Sequence, residues 1–594
     1  MTLTSLSFYL LVLALLVLYY LVPKRFQWVV LLIGSYAFYA FVCLRYMGFI
    51  VITTLTTYFG ARGMDAMTAR MEQTVAAHKQ DWEREERKAY KKRCKSRRKA
   101  LMIAILLLNF GILAVLKYYN FFAESMETLF ASVGLTVSLG HIGLLLPLGI
   151  AIYYGESPAP FLLTILALVV TAGPLRLCKV RSRDFYAREG FASVSLSWIA
   201  LSAYGALPFI FAGVIPSFVD ALFETVSGFT TTGASILSQV EGMPMGILFW
   251  RSFTHWIGGM GILVFVLAVL PAVEERSIHI MRAEVPGPQV SKLVPRTRNT
   301  AAILYCIYLA MTVLLILLLV LGDMPLFDAA VHAFGAAGTG GFSIKNTSIG
   351  WYNSAYVDVV IGIFMILFSM NFNLYFFLLL GQVKDFFKNE ELRWYLCIIA
   401  AAVLLIAWNI SSVYGSKSLL YSFFQVSSII STTGYATTDF SLWPEFSRCM
   451  LLFVMFIGGC AGGTGGGVKV SRAIILVKSA GKEIHRLLHP RSIRRVTMDQ
   501  KPVSDSVVHG TMVFFSLYVG IIMISVLLLA LDNMDFASTF SSVLACISNI
   551  GPGLNVVGPM GNYGSFSVLS KLVLTLDMLL GRLEIFLSLI HISE

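Results

Sequence analysis

Charged residues are scarce in this 594-residue chain: they make up 13% of it, while 57% of the residues are hydrophobic. A soluble protein of this size has about twice that share of charged residues. The mean hydropathy of +0.77 is also typical of a chain that crosses a membrane many times. The composition therefore excludes a soluble enzyme and predicts a polytopic membrane protein.

Cysteine motifs are missing as well. The eight cysteines are scattered, mostly in apolar stretches, and form no Cys-x-x-Cys pair. They are predicted to be core residues rather than disulfides or metal ligands. The net charge of +12 does not indicate a nucleic-acid partner, because the lysines and arginines cluster in loops between apolar spans. That clustering is the positive-inside pattern of a membrane protein.

Four stretches between apolar spans are too polar and too short to cross a bilayer. Their glycines recur at intervals of roughly 95 to 120 residues, which fits repeats of two spans and a loop. The residues at their centres are Thr231, Thr232 and Gly233; Gly338, Thr339 and Gly340; Thr432, Thr433 and Gly434; and Asn549, Ile550 and Gly551.

A half-length amphipathic segment precedes each of these stretches, at 220–229, 328–334, 421–430 and 540–547. Each predicts a short pore helix that enters the membrane and returns as an extended strand. Glycine lets the nearby carbonyl groups turn inward, and a ring of such oxygens can replace the hydration shell of a potassium-sized cation. The negative C-terminal ends of the helices would favour the cation. The twelve residues are therefore predicted to form a K+ selectivity filter.

The segment 458–467 is dominated by glycine: Gly458, Gly459, Gly462, Gly463, Gly465, Gly466 and Gly467. A nucleotide-binding phosphate loop is disfavoured because Val468 stands where its lysine would follow, and an apolar span precedes the run. Glycine is about 1 kcal/mol less favourable than alanine inside a helix, so the helix is predicted to break within the membrane. Its freed backbone groups are predicted to line a cavity, and a simple packing kink is the alternative; the resemblance given below implies that the cavity-lining segment is a gating loop.

Two charged side chains lie in apolar helices, where a charge is costly and usually has a partner or lines a cavity. Arg582 is predicted either to pair with Asp577 or Glu584, or to lie in a pore. Glu224 either contributes to the field at a pore mouth or has a packing or surface role.

These motifs, together with Phe249–Gly261, Ala283–Pro288 and Met370–Phe376, resemble the Trk/Ktr/HKT potassium transporters, closest to the bacterial TrkH type, over about residues 144–586. The resemblance implies an all-α polytopic membrane protein. Four fused helix–pore loop–helix repeats would surround one central pore, preceded by extra transmembrane helices. It also implies that the 458–467 loop obstructs the pore beneath the filter, and that Arg582 lies in the pore.

The resemblance further implies K+ uptake across the bacterial cytoplasmic (inner) membrane, with K+ as the transported ion and no cofactor. The implied partners are membrane lipid, a second copy of the chain in a homodimer, and a cytosolic nucleotide-binding regulatory subunit on the basic loops. A sodium-coupled K+ symporter of the Ktr type is the alternative mode of transport.

Residues 1–143 do not share this resemblance. Pro23–Ala40 and Lys117–Phe122 resemble the start of membrane-bound O-acyltransferases, but the part of those enzymes that contains the catalytic histidine does not follow. An acyltransferase fragment fused to a transporter is therefore the alternative, and no enzymatic activity is predicted. The predicted domains are 1–143, leading helices 144–214, and repeats 215–299, 300–394, 395–501 and 502–594, the last with an atypical C-terminus.

Overall fold

The computed structural model describes residues 143–177, 187–259, 261, 297–492 and 495–583, together with parts of the first 109 residues, of which 44–78 and 90–99 are the longest. The chain divides into two compact units, Met1–Ser125 and Met126–Glu594. Apolar runs predict membrane spans near residues 5–22, 27–44, 46–61 and 101–118. All of these but 46–61 lie largely outside the described residues, as does the basic loop Arg276–Arg298.

Within the first unit, helix α1 covers Leu44–Ala77. The sequence predicted a span that ends near residue 61, but the helix continues because the following residues are mostly good helix formers such as Ala, Met, Arg and Glu. The side-chain amide of Asn109 bonds Thr56 and Thr57. These contacts fix Asn109 against α1.

In the described part of the second unit, helices dominate and the strands form one short hairpin. The helices are α2 Gly143–Tyr153, α3 Ala159–Leu177, α4 Ala187–Gly205, α5 Leu207–Phe211, α6 Phe218–Phe229, α7 Met245–Gly259, α8 Thr297–Leu321, α9 Leu326–Gly338, α10 Ala355–Ser369, α11 Phe372–Leu379, α12 Val383–Lys388, α13 Glu390–Tyr414, α14 Ser418–Ile430, α15 Glu445–Ile457, α16 Val470–Leu488, α17 Asp505–Leu529, α18 Phe536–Ile547 and α19 Val568–Leu583. Strands β1 Thr497–Met498 and β2 Lys501–Pro502 pair antiparallel.

The helices repeat four times in one order: a first helix, a pore helix, a loop and a second helix. The pore helices α6, α9, α14 and α18 are 12 or 13 residues long, which confirms the predicted half-length helices. Each begins slightly earlier than predicted. In two of them a side chain, Ser217 or Asp535, caps the first turn by accepting a backbone N–H bond.

Two helices begin on the other side of a predicted domain boundary, and the boundaries themselves remain predictions. The first helix of repeat one is α4, which packs on pore helix α6 although it lies within the segment predicted as leading helices. The first helix of repeat three begins at Glu390 rather than residue 395, because Asn389 caps α13 by accepting a bond from the Leu392 N–H.

The second helix of each repeat packs on the pore helix of the next repeat. The pairs are α7 with α9, α10 with α14, α15 with α18, and α19 with α6. The last pair joins repeat four to repeat one, so the four repeats close into a ring.

Several helices are long and apolar enough to cross a membrane. Ala302–Leu321 and Asp505–Asp532 meet that criterion alone, and Glu390–Ile430 meets it as α13 together with α14. Helices α10 and α11 meet it only as a pair that is bent by 95°. The chain is an all-α polytopic membrane protein, as predicted.

Trp250, on the second helix of repeat one, contacts the first helix and the pore helix of the same repeat. Its indole N–H donates to the Gly205 carbonyl at 3.0 Å, and its ring meets Phe229 edge-on. We predict that Trp250→Phe leaves the buried carbonyl without its donor and lowers the free energy of unfolding by about 1–3 kcal/mol. A thermal melt of the detergent-solubilised protein measures this loss. Trp408→Phe is the matched control, because Trp408 is 75% exposed; an equal loss in both variants would contradict the prediction.

Candidate ion pathway

The four pore helices end in the same hydrogen-bonded turn. In each, a backbone N–H just past the helix reaches the carbonyl five residues earlier at 2.8 Å, which is the long bond of a Schellman motif. The bonds are Thr232 to Ser227, Gly340 to Gly335, Thr433 to Ser428, and Ile550 to Ala545. The residue before each donor has left-handed backbone: Thr231, Thr339, Thr432 and Asn549.

This shared turn fixes the alignment of the four loops and corrects the second one. The residue after the donor has positive φ in every loop, and it is Gly233, Gly341, Gly434 or Gly551. The sequence aligned Gly340 with the other three glycines, which was wrong by one residue. Gly338 is still the last residue of α9, so the second loop contributes Thr339, Gly340 and Gly341.

The four loops touch through their backbones. A Cβ on Gly233 would lie 1.9 Å from the Gly340 oxygen, and a Cβ on Gly341 would lie 2.1 Å from the Thr433 oxygen. The same relation holds between the third and fourth loops and between the fourth and first. A Cβ on Gly434 would lie 2.2 Å from the Ile550 oxygen, and one on Gly551 would lie 2.6 Å from the Thr232 oxygen. The carbonyl oxygens of four equivalent residues therefore belong to one closed ring.

The residue that contributes the ring carbonyl has a side-chain hydroxyl in the first and third loops but not in the second and fourth. The Thr232 hydroxyl bonds that of Thr230 at 2.8 Å, and the Thr433 hydroxyl bonds that of Ser431 at 2.7 Å. Gly340 and Ile550 occupy the equivalent positions in the other two loops. The four loops are thus unequal in the side chains that stand at this position.

Aromatic side chains that the sequence analysis did not single out hold the strands that leave the ring. The Tyr563 hydroxyl donates to the Gly551 carbonyl at 2.6 Å, and the Tyr435 hydroxyl donates to the carbonyl of His332 at 3.0 Å. The His255 ring bonds both the Gly228 carbonyl and the Phe342 N–H. His255 lies in the motif Phe249–Gly261, but its role depends on contacts between repeats that the motif does not reveal.

Glu224 is a buried structural residue. Its carboxylate pairs with the Arg251 guanidinium at 2.7 Å, and the two side chains are 0% and 4% exposed. Glu224 also accepts a bond from the Ile236 N–H, while Arg251 donates to the Ser343 carbonyl. The pair joins the exit strands of the first two loops, so of the predicted alternatives the packing role fits and a surface position does not.

The glycine-rich segment breaks its helix, as predicted. Helix α15 ends at Ile457, the next helix begins at Val470, and the residues between them are mostly buried. Two backbone bonds close the base of this loop, from the Lys469 N–H to Ile457 and from the Val470 N–H to Gly459. We call residues 458–469 the intramembrane loop.

The intramembrane loop lies against the ends of two pore helices. The Gly466 N–H donates to the Thr432 hydroxyl at 2.7 Å. A Cβ on Gly465 would lie 2.8 Å from the Ser431 oxygen, and one on Gly466 would lie 2.4 Å from the Ser548 oxygen. The loop is therefore more than a kink between two packed helices, because it contacts the residues at which the third and fourth predicted filter stretches begin.

The bend between α10 and α11 provides a second support. The bend frees carbonyl groups, which accept bonds from the loop: Thr464 donates to Phe368 and Cys460 donates to Ser369. In return, the Phe372 N–H donates to the Gly462 carbonyl at 3.0 Å. Two broken helices thus satisfy each other's backbone groups, which the interior of a membrane requires.

Arg582 connects the intramembrane loop to repeat one. Its guanidinium donates to the Thr464 carbonyl at 2.7 Å and to the Gly259 carbonyl at 2.9 Å. Asp577, one of its two predicted ion-pair partners, instead accepts a bond from Ser525, and Glu584 lies outside the described residues. Arg582 thus bonds backbone carbonyls, and its position in a pore stays a prediction.

Four re-entrant pore helices whose loops meet in a closed backbone ring define a membrane transport protein for ions. The chain belongs to the TrkH family of cation transport proteins, which it matches over residues 156–594. This confirms the predicted superfamily. The match reaches the last residue, beyond the predicted end near 586, and the first 155 residues lie outside it.

Relatives of known name agree with this assignment. The Trk system potassium uptake protein TrkH of Salmonella typhimurium is 36% identical over 468 residues, which are 77% of this chain and 96% of that protein. The TrkG protein of Escherichia coli strain K12 is 34% identical over 461 residues, 76% of this chain and 95% of that protein. The crystal structure of the potassium transporter TrkH from Vibrio parahaemolyticus has a TM-score of 0.71 at 33% identity and covers 78% of this chain and 98% of its own.

The buried Glu224–Arg251 pair yields a stability prediction. Glu224→Gln leaves Arg251 buried without its counter-charge and is expected to cost about 3–5 kcal/mol of unfolding free energy. The double variant Glu224→Leu with Arg251→Met should recover part of that loss. Thermal melts in detergent measure both. Glu445→Gln breaks the pair with Arg448, in which Glu445 is 78% exposed, and should cost less than about 1 kcal/mol; equal losses in the two single variants would refute the assignment.

Proposed function

We propose that this protein takes up K+ across the bacterial cytoplasmic membrane through the ring of four loops. The filter consists of Thr231, Thr232 and Gly233; Thr339, Gly340 and Gly341; Thr432, Thr433 and Gly434; and Asn549, Ile550 and Gly551. The observation that supports it most is that four equivalent carbonyl oxygens, each next to a glycine of the neighbouring loop, form one closed ring.

The chemistry of the ring suits an alkali cation. Backbone carbonyl and hydroxyl oxygens replace the water around K+ when they surround it closely. The pore helices end at the ring, so the negative ends of their macrodipoles lie beside it and favour a cation. The names of the relatives, which specify potassium uptake, support K+ over other cations.

The intramembrane loop and Arg582 act as the gate in this proposal. The loop lies against Thr432 and Ser548, directly behind the filter residues, and Arg582 holds it to repeat one. A guanidinium beside the ion path repels cations, so conduction requires the loop and Arg582 to move.

The proposal includes the assembly that the resemblance implies. The chain acts as a transporter and not as an enzyme, forms a homodimer, and receives a cytosolic nucleotide-binding subunit. The basic segment from Lys478 to Lys501, which ends in the hairpin of β1 and β2, is the proposed contact for that subunit. The positive charge of the segment supports a position on the cytoplasmic side.

Gly434→Ala tests the filter. The added Cβ would meet the Ile550 oxygen at 2.2 Å and would sit on backbone with φ of 88°, which side chains rarely adopt. We expect the variant to lose at least about tenfold of its rubidium uptake rate, since displacement of one ring oxygen costs more than about 1.4 kcal/mol.

The assay is uptake of radioactive rubidium into proteoliposomes that contain the purified full chain, with unlabelled K+ as competitor. Gly520→Ala is the control, since its Cβ meets nothing within 4 Å. Unchanged uptake in Gly434→Ala, or a wild-type signal that K+ does not compete for, would overturn the proposed function.

Arg582→Ala tests the electrostatic part of the gate. Removal of the cation should raise basal rubidium uptake, whereas Arg582→Lys, which keeps the charge but not the forked donors, should stay close to the wild type. Initial uptake rates in the same proteoliposomes distinguish the two variants. Equal increases in both would show that hydrogen bonding, rather than charge, restrains the ion.

A further inference from the structure

One carboxylate bonds both the intramembrane loop and the helix that follows it. Glu391, the second residue of α13, is 4% exposed. Its Oε1 atom accepts a bond from the Ala461 N–H at 2.7 Å and another from the Ser471 N–H at 3.1 Å. Ala461 lies near the start of the loop and Ser471 in the first turn of the helix that follows it.

The two donors are groups that would otherwise lack an acceptor. The Ser471 N–H belongs to the first turn of α16, which has no acceptor within its own helix, and the helix N-terminus favours a negative charge. Ala461 lies in a glycine-rich loop without regular structure. A buried carboxylate that satisfies both groups therefore ties the loop to α13.

The other bonds of the loop divide into two kinds. Those at its base, from Lys469 to Ile457 and from Val470 to Gly459, lie within the loop and can persist if it moves as a unit. The second kind joins the loop to Arg582, to Thr432 and to the bend between α10 and α11. The bonds to Glu391 on α13 belong with these, so the loop cannot leave the filter without breaking them. Among the described residues, Glu391 is the one carboxylate that bonds the loop.

The neighbouring Glu390 provides a contrast. It pairs with Lys478 of α16 at 2.5 Å and accepts a bond from the Asp499 N–H beside the hairpin, but it does not bond the loop. Consecutive glutamates thus hold α16 at two points, Ser471 and Lys478, which lie seven residues and about two turns apart. The first point is at the loop and the second is toward the basic hairpin.

We propose that Glu391 is the positioning residue that latches the intramembrane loop in its closed place. This inference rests on the proposed function of the loop as a gate. The carboxyl group stabilises the closed loop through bonds that opening must break. Glu391 neither contacts the ion nor contributes to the filter, so it controls how often the pore opens and not which ion passes.

The experiment uses the full chain in proteoliposomes and two readouts. The first is the initial rate of rubidium uptake, with sodium as competitor. The second is labelling of Cys460 by a membrane-impermeant maleimide, resolved by peptide mass spectrometry. Cys460 lies in the loop and is 2% exposed, so it reports movement of the loop; Cys546, buried in α18, is the internal control.

Glu391→Ala should raise both the rubidium uptake and the Cys460 labelling about tenfold, the shift expected when two hydrogen bonds to a buried acceptor are lost. Competition by sodium and labelling of Cys546 should not change. Glu391→Gln, which keeps the shape and an acceptor oxygen, should show a smaller increase and serves if the alanine variant does not fold. Glu390→Gln, which does not touch the loop, should leave both readouts at the wild-type level.

Wild-type labelling of Cys460 in folded Glu391→Ala and Glu391→Gln overturns the latch, and so does an equal increase in Glu390→Gln. Rubidium uptake that is absent from every variant and from the wild type would instead count against the proposed function. In that case the Cys460 labelling still decides whether Glu391 holds the loop.

Discussion

The backbones of the four loops that follow the pore helices touch each other, and the rest of the structure depends on that contact. A carbonyl oxygen of each loop lies where the glycine of the preceding loop would have a side chain. Only glycine leaves that space empty and also accepts the positive φ that the turn requires. The pore helices supply the turn, and the packing of each second helix on the next pore helix holds the four turns together.

The polar groups around this centre are satisfied mainly by neutral partners. Tyr563 and Tyr435 donate to backbone carbonyl groups, and His255 bonds both a carbonyl and an N–H. The buried ion pair of Glu224 and Arg251 joins exit strands and does not contact the four ring carbonyls. Fixed dipoles therefore surround the ring, and the two charges of the Glu224–Arg251 pair compensate each other farther out.

The sequence predicted the features that depend on local pattern. The pore helices follow from amphipathic half-length segments, and the broken helix follows from the glycine content of residues 458–467. The second loop was misaligned because Gly340 and Gly341 both tolerate unusual backbone, and only the bond from Gly340 to Gly335 decides between them. The partners of Glu224 and Glu391 could not be predicted, because Arg251 and Ala461 are brought to them by tertiary packing.

The side chains of the ring have a lower symmetry than its four repeated helix–loop–helix units. Each loop touches the next in sequence, so the first and third loops face each other, as do the second and fourth. The hydroxyl groups of Thr232 and Thr433 therefore lie across one diagonal, while the other diagonal has Gly340 and Ile550. The side chains beside the four ring carbonyls are therefore alike only across the centre, so a ring built from four repeats has two chemically different diagonals.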